Sequence, residues 1–94
     1  MTILVDGAVW PGRGRLWAHL VSDRSFAELH SFAAAAGIPD RAFERDHYDI
    51  PADRRDEVIA AGATPVGSKE LVARLAAAGL RRAKHRRSDW PAPG

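Results

Sequence analysis

Arg41-Ala42-Phe43-Glu44-Arg45-Asp46-His47-Tyr48-Asp49-Ile50-Pro51 lies midway along a chain of 94 residues, and the direction of the strands turns on how it is parsed. Arg41 to Arg45 reads as a strand with Phe43 as its inward residue. Pro51 suits the first position of a helix, where a missing N–H costs nothing. Asp53, Asp56 and Glu57 then place negative charge near the positive end of that helix's dipole, and Val58 and Ile59 carry the helix to Gly62. Ala63 to Val66 reads as a further short strand, with Pro65 arguing for an edge position. Ser68 caps a third helix whose apolar stripe holds Leu71, Val72, Leu75 and Ala78, and Gly79 stops it. Strand, helix, strand, helix over residues 41–79 implies a parallel pair joined by a right-handed crossover.

Upstream, Ile3 to Val5 is a short buried strand that ends in Asp6-Gly7. Gly7 to Gly14 reads as a loop, pinned by Trp10-Pro11-Gly12. Leu16 to Val21 suits a second strand, with Trp17 and His19 on one face and Leu16, Ala18 and Leu20 on the other. Ser25-x-x-Glu28 has the spacing of a capping box and opens a helix whose stripe is Phe26, Leu29, Ala33 and Ala36, with His30 at its edge and Gly37 as its end. The expected fold is a single small α/β domain over residues 1–80, with a mainly parallel sheet of about four strands and three helices. Residues 81–94 form a basic tail expected to be mobile.

Composition narrows the chemistry. There is no cysteine, so thiolate metal sites, disulfides and thiol nucleophiles are excluded, and any metal must rest on histidine and carboxylate. Met1 to Asp6 has neither the basic start nor the apolar run of a signal peptide, and no window reaches the length of a membrane span. The expected setting is cytoplasmic, without a membrane partner. The net charge of +2 is unevenly spread. Arg81, Arg82, Lys84, Arg86 and Arg87 stand against Asp89 alone, which leaves the first 80 residues mildly acidic. Twelve of the fourteen basic residues are arginine and alanine is abundant, a bias associated with a GC-rich bacterial genome.

Several short blocks follow one another along the chain: Gly14-Arg15-Leu16-Trp17-Ala18-His19-Leu20, Ser22-Asp23, Glu28-Leu29-His30-x-Phe32-Ala33, His47-Tyr48-Asp49 and Gly62-Ala63. Together they resemble the domain-of-unknown-function 4031 family of bacterial and phage proteins over roughly residues 3–80. The resemblance brings no activity with it, and the arginine-rich tail lies outside it.

Function must therefore be read from the polar residues. In a parallel sheet the strand-to-helix junctions gather on one rim, where an open α/β domain takes its ligand. Asp6, Asp23, Ser68 and the Asp46-His47-Tyr48-Asp49 run all fall at such junctions. Asp6, His19, Asp23, His47 and Asp49 are the metal-ligand candidates, with zinc, manganese or iron as the ion. A bound ion would make hydroxide near neutral pH and support hydrolysis of a phosphoester. No recognised spacing such as His-Glu-x-x-His is present. Without a metal, His47 is the candidate general base. A second reading places an anionic ligand at the helix starts near Ser25, Pro51 and Ser68, with Arg15, Arg24 and Lys69 neutralising it and Trp10, Trp17 or Tyr48 stacking on it. A third makes the domain a noncatalytic adaptor that binds nucleic acid or protein through its basic tail. No serine lies in a Gly-x-Ser-x-Gly elbow, so serine nucleophiles are set aside. Bland roles compete at each position: His19 and His30 as hydrogen-bonded core histidines, Asp23 and Asp49 as helix caps, and Arg55 as an ion-pair partner of Asp46 or Asp49.

Overall fold

A computed structural model describes residues 2–82 of the chain. Six strands and three helices follow in the order β1 (Ile3–Val5), β2 (Trp10–Gly12), β3 (Arg15–Ser22), α1 (Phe26–Ala35), β4 (Phe43–Glu44), β5 (His47–Pro51), α2 (Arg55–Ala60), β6 (Thr64–Pro65) and α3 (Ser68–Ala77). Short 3-10 turns at Asp40–Ala42 and Ala52–Arg54 flank the β4–β5 pair. Residues 83–94, most of the basic tail, lie outside the described residues. Among those described, no helix is long and apolar enough to cross a membrane.

The sheet runs β4-β5-β3-β1-β6, with β2 paired to the outer part of β3. Only β1 and β6 are parallel; the other pairings are antiparallel. The mainly parallel, four-stranded sheet is thus replaced by a mixed sheet of six strands, while the three helices stand. The reason lies in the 41–51 stretch. Glu44 pairs with His47 across the two-residue turn Arg45-Asp46, so Phe43 to Pro51 is a hairpin. Arg45 adopts a left-handed φ of 57° there, a conformation that turn sequences usually announce with glycine or asparagine. Pro51 closes β5 opposite Trp17 and caps the 3-10 turn Ala52–Arg54, so α2 begins only at Arg55; at a strand end its missing N–H is tolerated. A second hairpin is hidden in the 7–14 loop, where β2 turns into β3 through Arg13-Gly14.

Strict alternation divides the sheet into two faces. On one, Ile3, Val5, Ala18, Leu20, Tyr48 and Ile50 pack with Leu29 and Ala33 of α1 and Val58 of α2. On the other, Leu4 and Val21 meet Leu71 and Leu75 of α3. α1 begins with half of the expected capping box: the Ser25 hydroxyl accepts the Glu28 N–H at 3.0 Å, but the Glu28 carboxylate accepts from the Ser22 hydroxyl and the Ser25 N–H donates to Ser22 Oγ. The helix ends at Gly37, whose φ of 78° lets Ile38 N–H reach back to the Ala33 carbonyl. The cap of α3 differs from expectation. Gly67 is the cap residue, and the Ser68 hydroxyl bonds elsewhere.

α3 covers its face of the sheet with a narrower stripe than the sequence suggests. Leu71 is buried, while its neighbour Val72 is 39% exposed. Leu71→Ala should therefore cost about 2–5 kcal/mol of unfolding free energy, and Val72→Ala no more than about 0.5 kcal/mol, both measured by urea denaturation. Equal effects would mean that α3 is rotated from this docking.

Candidate metal centre

The part of this second face that α3 leaves uncovered is where the polar residues meet. Asp6 follows β1 and bonds through its N–H to the His19 carbonyl, 3.1 Å away. His19 on β3 stands directly opposite Asp49 on β5. His47 lies two residues from Asp49 and so points to the same side. Neighbouring strands are ~4.8 Å apart, so antiparallel register alone lays Asp6, His19 and Asp49 in a row across three strands. The site is built on a sheet face, not on the rim of strand-to-helix junctions that a parallel sheet would have provided.

Each imidazole is held from behind by a buried aspartate. His19 Nδ1 is 2.9 Å from Asp6 Oδ2, and His47 Nδ1 is 2.8 Å from Asp46 Oδ1. The two rings meet edge to face, 4.7 Å between centroids. His47 Nε2 faces Asp49 Oδ1 at 3.1 Å. One donor atom from each of His19, His47 and Asp49 lies within 4.8 Å of the others. Exposure rises across the group, from 11% at His47 to 23% at His19 and 32% at Asp49. The group opens to solvent at Asp49. A cavity of about 170 Å³ beside it runs between the sheet and α3, bounded by Trp10, His19, His47, Ser68 and Leu71.

Asp6 does not share the open position of Asp49. Its Oδ1 accepts the His19 backbone N–H at 2.6 Å, and its Oδ2 accepts Trp10 Nε1 at 3.0 Å and Ser68 Oγ at 2.9 Å in addition to His19 Nδ1. Burial pushes this carboxyl up, but the bonds from the His19 side chain and backbone, Trp10 and Ser68 outweigh it and hold the group below the usual aspartate range. With both oxygens engaged, Asp6 orients a ligand more readily than it becomes one.

The remaining sequence candidates are scattered. Asp23 is drawn to Thr2 N–H and to Arg74 at 2.7 Å, at the far end of β3. Tyr48 points to the opposite face, where its hydroxyl meets His30 Nδ1 at 2.6 Å. Arg15 lies over the Trp17 ring, 5.7 Å from its centroid. Lys69 is exposed on α3. Arg55 pairs with neither Asp46 nor Asp49; its Nε donates to the Asp6 carbonyl at 2.8 Å. The orienting role of Asp46 was missed, although an aspartate immediately before a histidine was visible in the sequence.

A small mixed-sheet α/β domain carrying two carboxylate-backed histidines and an aspartate on one sheet face is the class that fold and site define. The chain belongs to the family described as protein of unknown function DUF4031, whose model matches residues 3–78. No curated protein and no solved structure matches it.

Charge on the group follows from its contacts. Burial lowers the His47 pKa, but hydrogen bonds and attraction from Asp49 and Asp46 overcome this and raise it above the ordinary 6.5. Asp49 is held below its ordinary value, first by the hydrogen bond from His47, against burial, with help from the charges of His47, His19 and Arg13. A raised histidine stabilises the fold fully below its unfolded pKa, and that contribution disappears as pH rises through the folded value. The aspartate's contribution is present above its unfolded pKa and is lost as pH falls through its depressed folded value. An NMR titration of the metal-free protein should place the His47 midpoint above 6.5, and Asp49→Asn should lower it. A midpoint unmoved by Asp49→Asn would contradict the pairing. Asp6→Ala, which strips four bonds from one buried carboxylate, should cost about 3 kcal/mol or more in a urea unfolding experiment.

Proposed function

We propose that His19, His47 and Asp49 bind a divalent ion that activates water for hydrolysis of a phosphoester. One observation carries this reading: both imidazoles have Nδ1 against a buried carboxylate, so Nε2 is the nitrogen each keeps for an ion, and donor atoms of His19, His47 and Asp49 lie within 4.8 Å of one another. Such carboxylate backing is the usual outer shell of a metal-bound histidine, fixing the tautomer and strengthening the donor. Two histidines and one carboxylate leave coordination positions open for water and substrate, a set that suits zinc, manganese or iron(II). A tetrahedral ion with bonds of ~2.0–2.1 Å keeps its ligands roughly 3.3 Å apart. Donors spread over as much as 4.8 Å must therefore draw together as the ion enters, and Asp49, the most exposed of the three, has the freedom to do so.

The same contacts work against His47 as an unaided general base. Carboxylates face both of its nitrogens and raise its pKa, so without an ion it gives up its Nε2 proton less readily than a free imidazole, and an entering ion has to displace that proton. Bound to its ion, the site would supply a Lewis acid and a low-pKa water. The leaving oxygen of the ester would depart with a proton from solvent.

The experiment is elemental analysis of the full chain after loading with zinc, manganese or iron(II) and exhaustive desalting. Wild type should retain a stoichiometric ion; His19→Ala, His47→Ala and Asp49→Ala should not. Asp46→Asn should weaken affinity about 10–100-fold through the histidine it orients. Retention unchanged in His47→Ala, or no retention of any of the three metals by wild type, would refute the assignment.

A further inference from the structure

On the other side of Asp49 from the histidines lies a second cavity of about 350 Å³ that no role so far accounts for. Arg13, Arg41 and Arg54 line it, together with Trp17, Pro39 and Asp49. The three arginines come from separate parts of the chain: the β2–β3 turn, the 3-10 turn before β4 and the one after β5. Three arginines stand against Asp49 in the lining, and with Arg54 paired to Glu57 the cavity keeps a net positive charge. Arg54 is fixed in place, donating through Nε to Glu57 at 2.8 Å and through Nη2 to the Ala36 carbonyl at 3.2 Å. Among the described residues, neither Arg13 nor Arg41 forms an ion pair.

Arg13 is also held in a conformation that an arginine does not choose. Its φ is 48°, in the left-handed region that glycine or asparagine usually fills at a two-residue hairpin turn. Its guanidinium is stationed over the Trp17 ring, 5.4 Å from the centroid, while the Trp17 indole is itself anchored to the Gly12 carbonyl at 2.8 Å. Strained backbone that the surroundings keep in place is a common mark of a binding position.

We propose that Arg13, Arg41 and Arg54 form the binding pocket for the phosphate of a small phosphomonoester, whose organic group lies against Trp17 and Pro39. Planar guanidinium forks match phosphate oxygens in pairs; Arg13 and Arg41 can each offer one, and Arg54, held through Nε and Nη2, adds its Nη1. The volume falls within the range of small-ligand pockets and leaves room beyond the phosphate itself. Asp49 is the wall shared by this pocket and the metal centre, so a phosphate held here adjoins the ion. The ligand's role as substrate rests on the metal reading; the pocket does not.

The two are separable by titrating the full chain, freed of metal with a chelator, with inorganic phosphate and with phenyl phosphate at constant ionic strength. Binding is followed by the Trp17 indole N–H and arginine Nε–H signals in 1H–15N spectra. Saturable shifts of the Trp17 signal are expected, tighter for phenyl phosphate, with Arg41→Gln weakening binding about tenfold or more. Arg13→Gly should abolish binding without lowering Tm, since glycine suits that backbone; a purely structural Arg13 would show the opposite. Because this titration is made on metal-free chain, binding seen in it needs no ion. No saturable Trp17 shift, or binding that survives both arginine substitutions, overturns the pocket while leaving metal retention as a separate result. Phosphate binding in a protein that retains no metal overturns the metal reading and keeps the pocket.

Discussion

Asp6 is the carboxylate on which this small domain is assembled. It has no solvent exposure, yet through one side chain and one carbonyl it reaches β2 by Trp10, β3 by His19, α2 by Arg55 and α3 by Ser68. An isolated buried charge would be intolerable. Four donors on two oxygens turn it into a junction that can be satisfied only when those elements have arrived. Helix α1 is the exception: it has no bond to Asp6 and is held by the apolar contacts of Leu29 and Ala33 and by hydrogen bonds between His30 and Tyr48 and from Ser22 to Glu28. The histidine that Asp6 orients is thus placed by the same bonds that close the fold, which makes the geometry of the polar group a by-product of folding to a unique state.

Local signals in the sequence were sound where they depended on a few adjacent residues. The Ser25 cap, the end of α1 at Gly37, the short first strand and the edge position implied by Pro65 all correspond to real features. Strand direction did not follow from them. His47 and Asp49 alternate with the buried Tyr48 and Ile50, a period of two that marks a strand, but Pro51 and the acidic residues after it read equally well as the start of a helix. Both hairpin turns place an arginine where φ is positive, so the residue types that normally signal a turn were missing from the decisive positions. Arg13-Gly14 retained half of that signal in its glycine.

The candidate site was legible in content and illegible in arrangement. His19, His47 and Asp49 could be named because histidines and aspartates close to strand ends are few. What brings them together is cross-strand register between β3 and β5, which no local pattern encodes. The same register separates Tyr48 from them by one residue and one sheet face. Asp23, named on equal grounds, sits at the other end of β3 and serves to tie β1 and α3. The three arginines of the second cavity come from sequence positions up to 41 apart and share nothing but their destination, so they were invisible as a group.

The two histidines stand on β3 and β5, strands inside the sheet that are paired on both sides, whereas many sites of this kind sit on loops. Interior strands open to solvent only with the domain as a whole, so their amides should exchange at rates near the global limit. Occupancy at these side chains and the folding equilibrium are then a single linked process: whatever binds there raises the melting temperature of the entire domain, and whatever loosens the domain releases it.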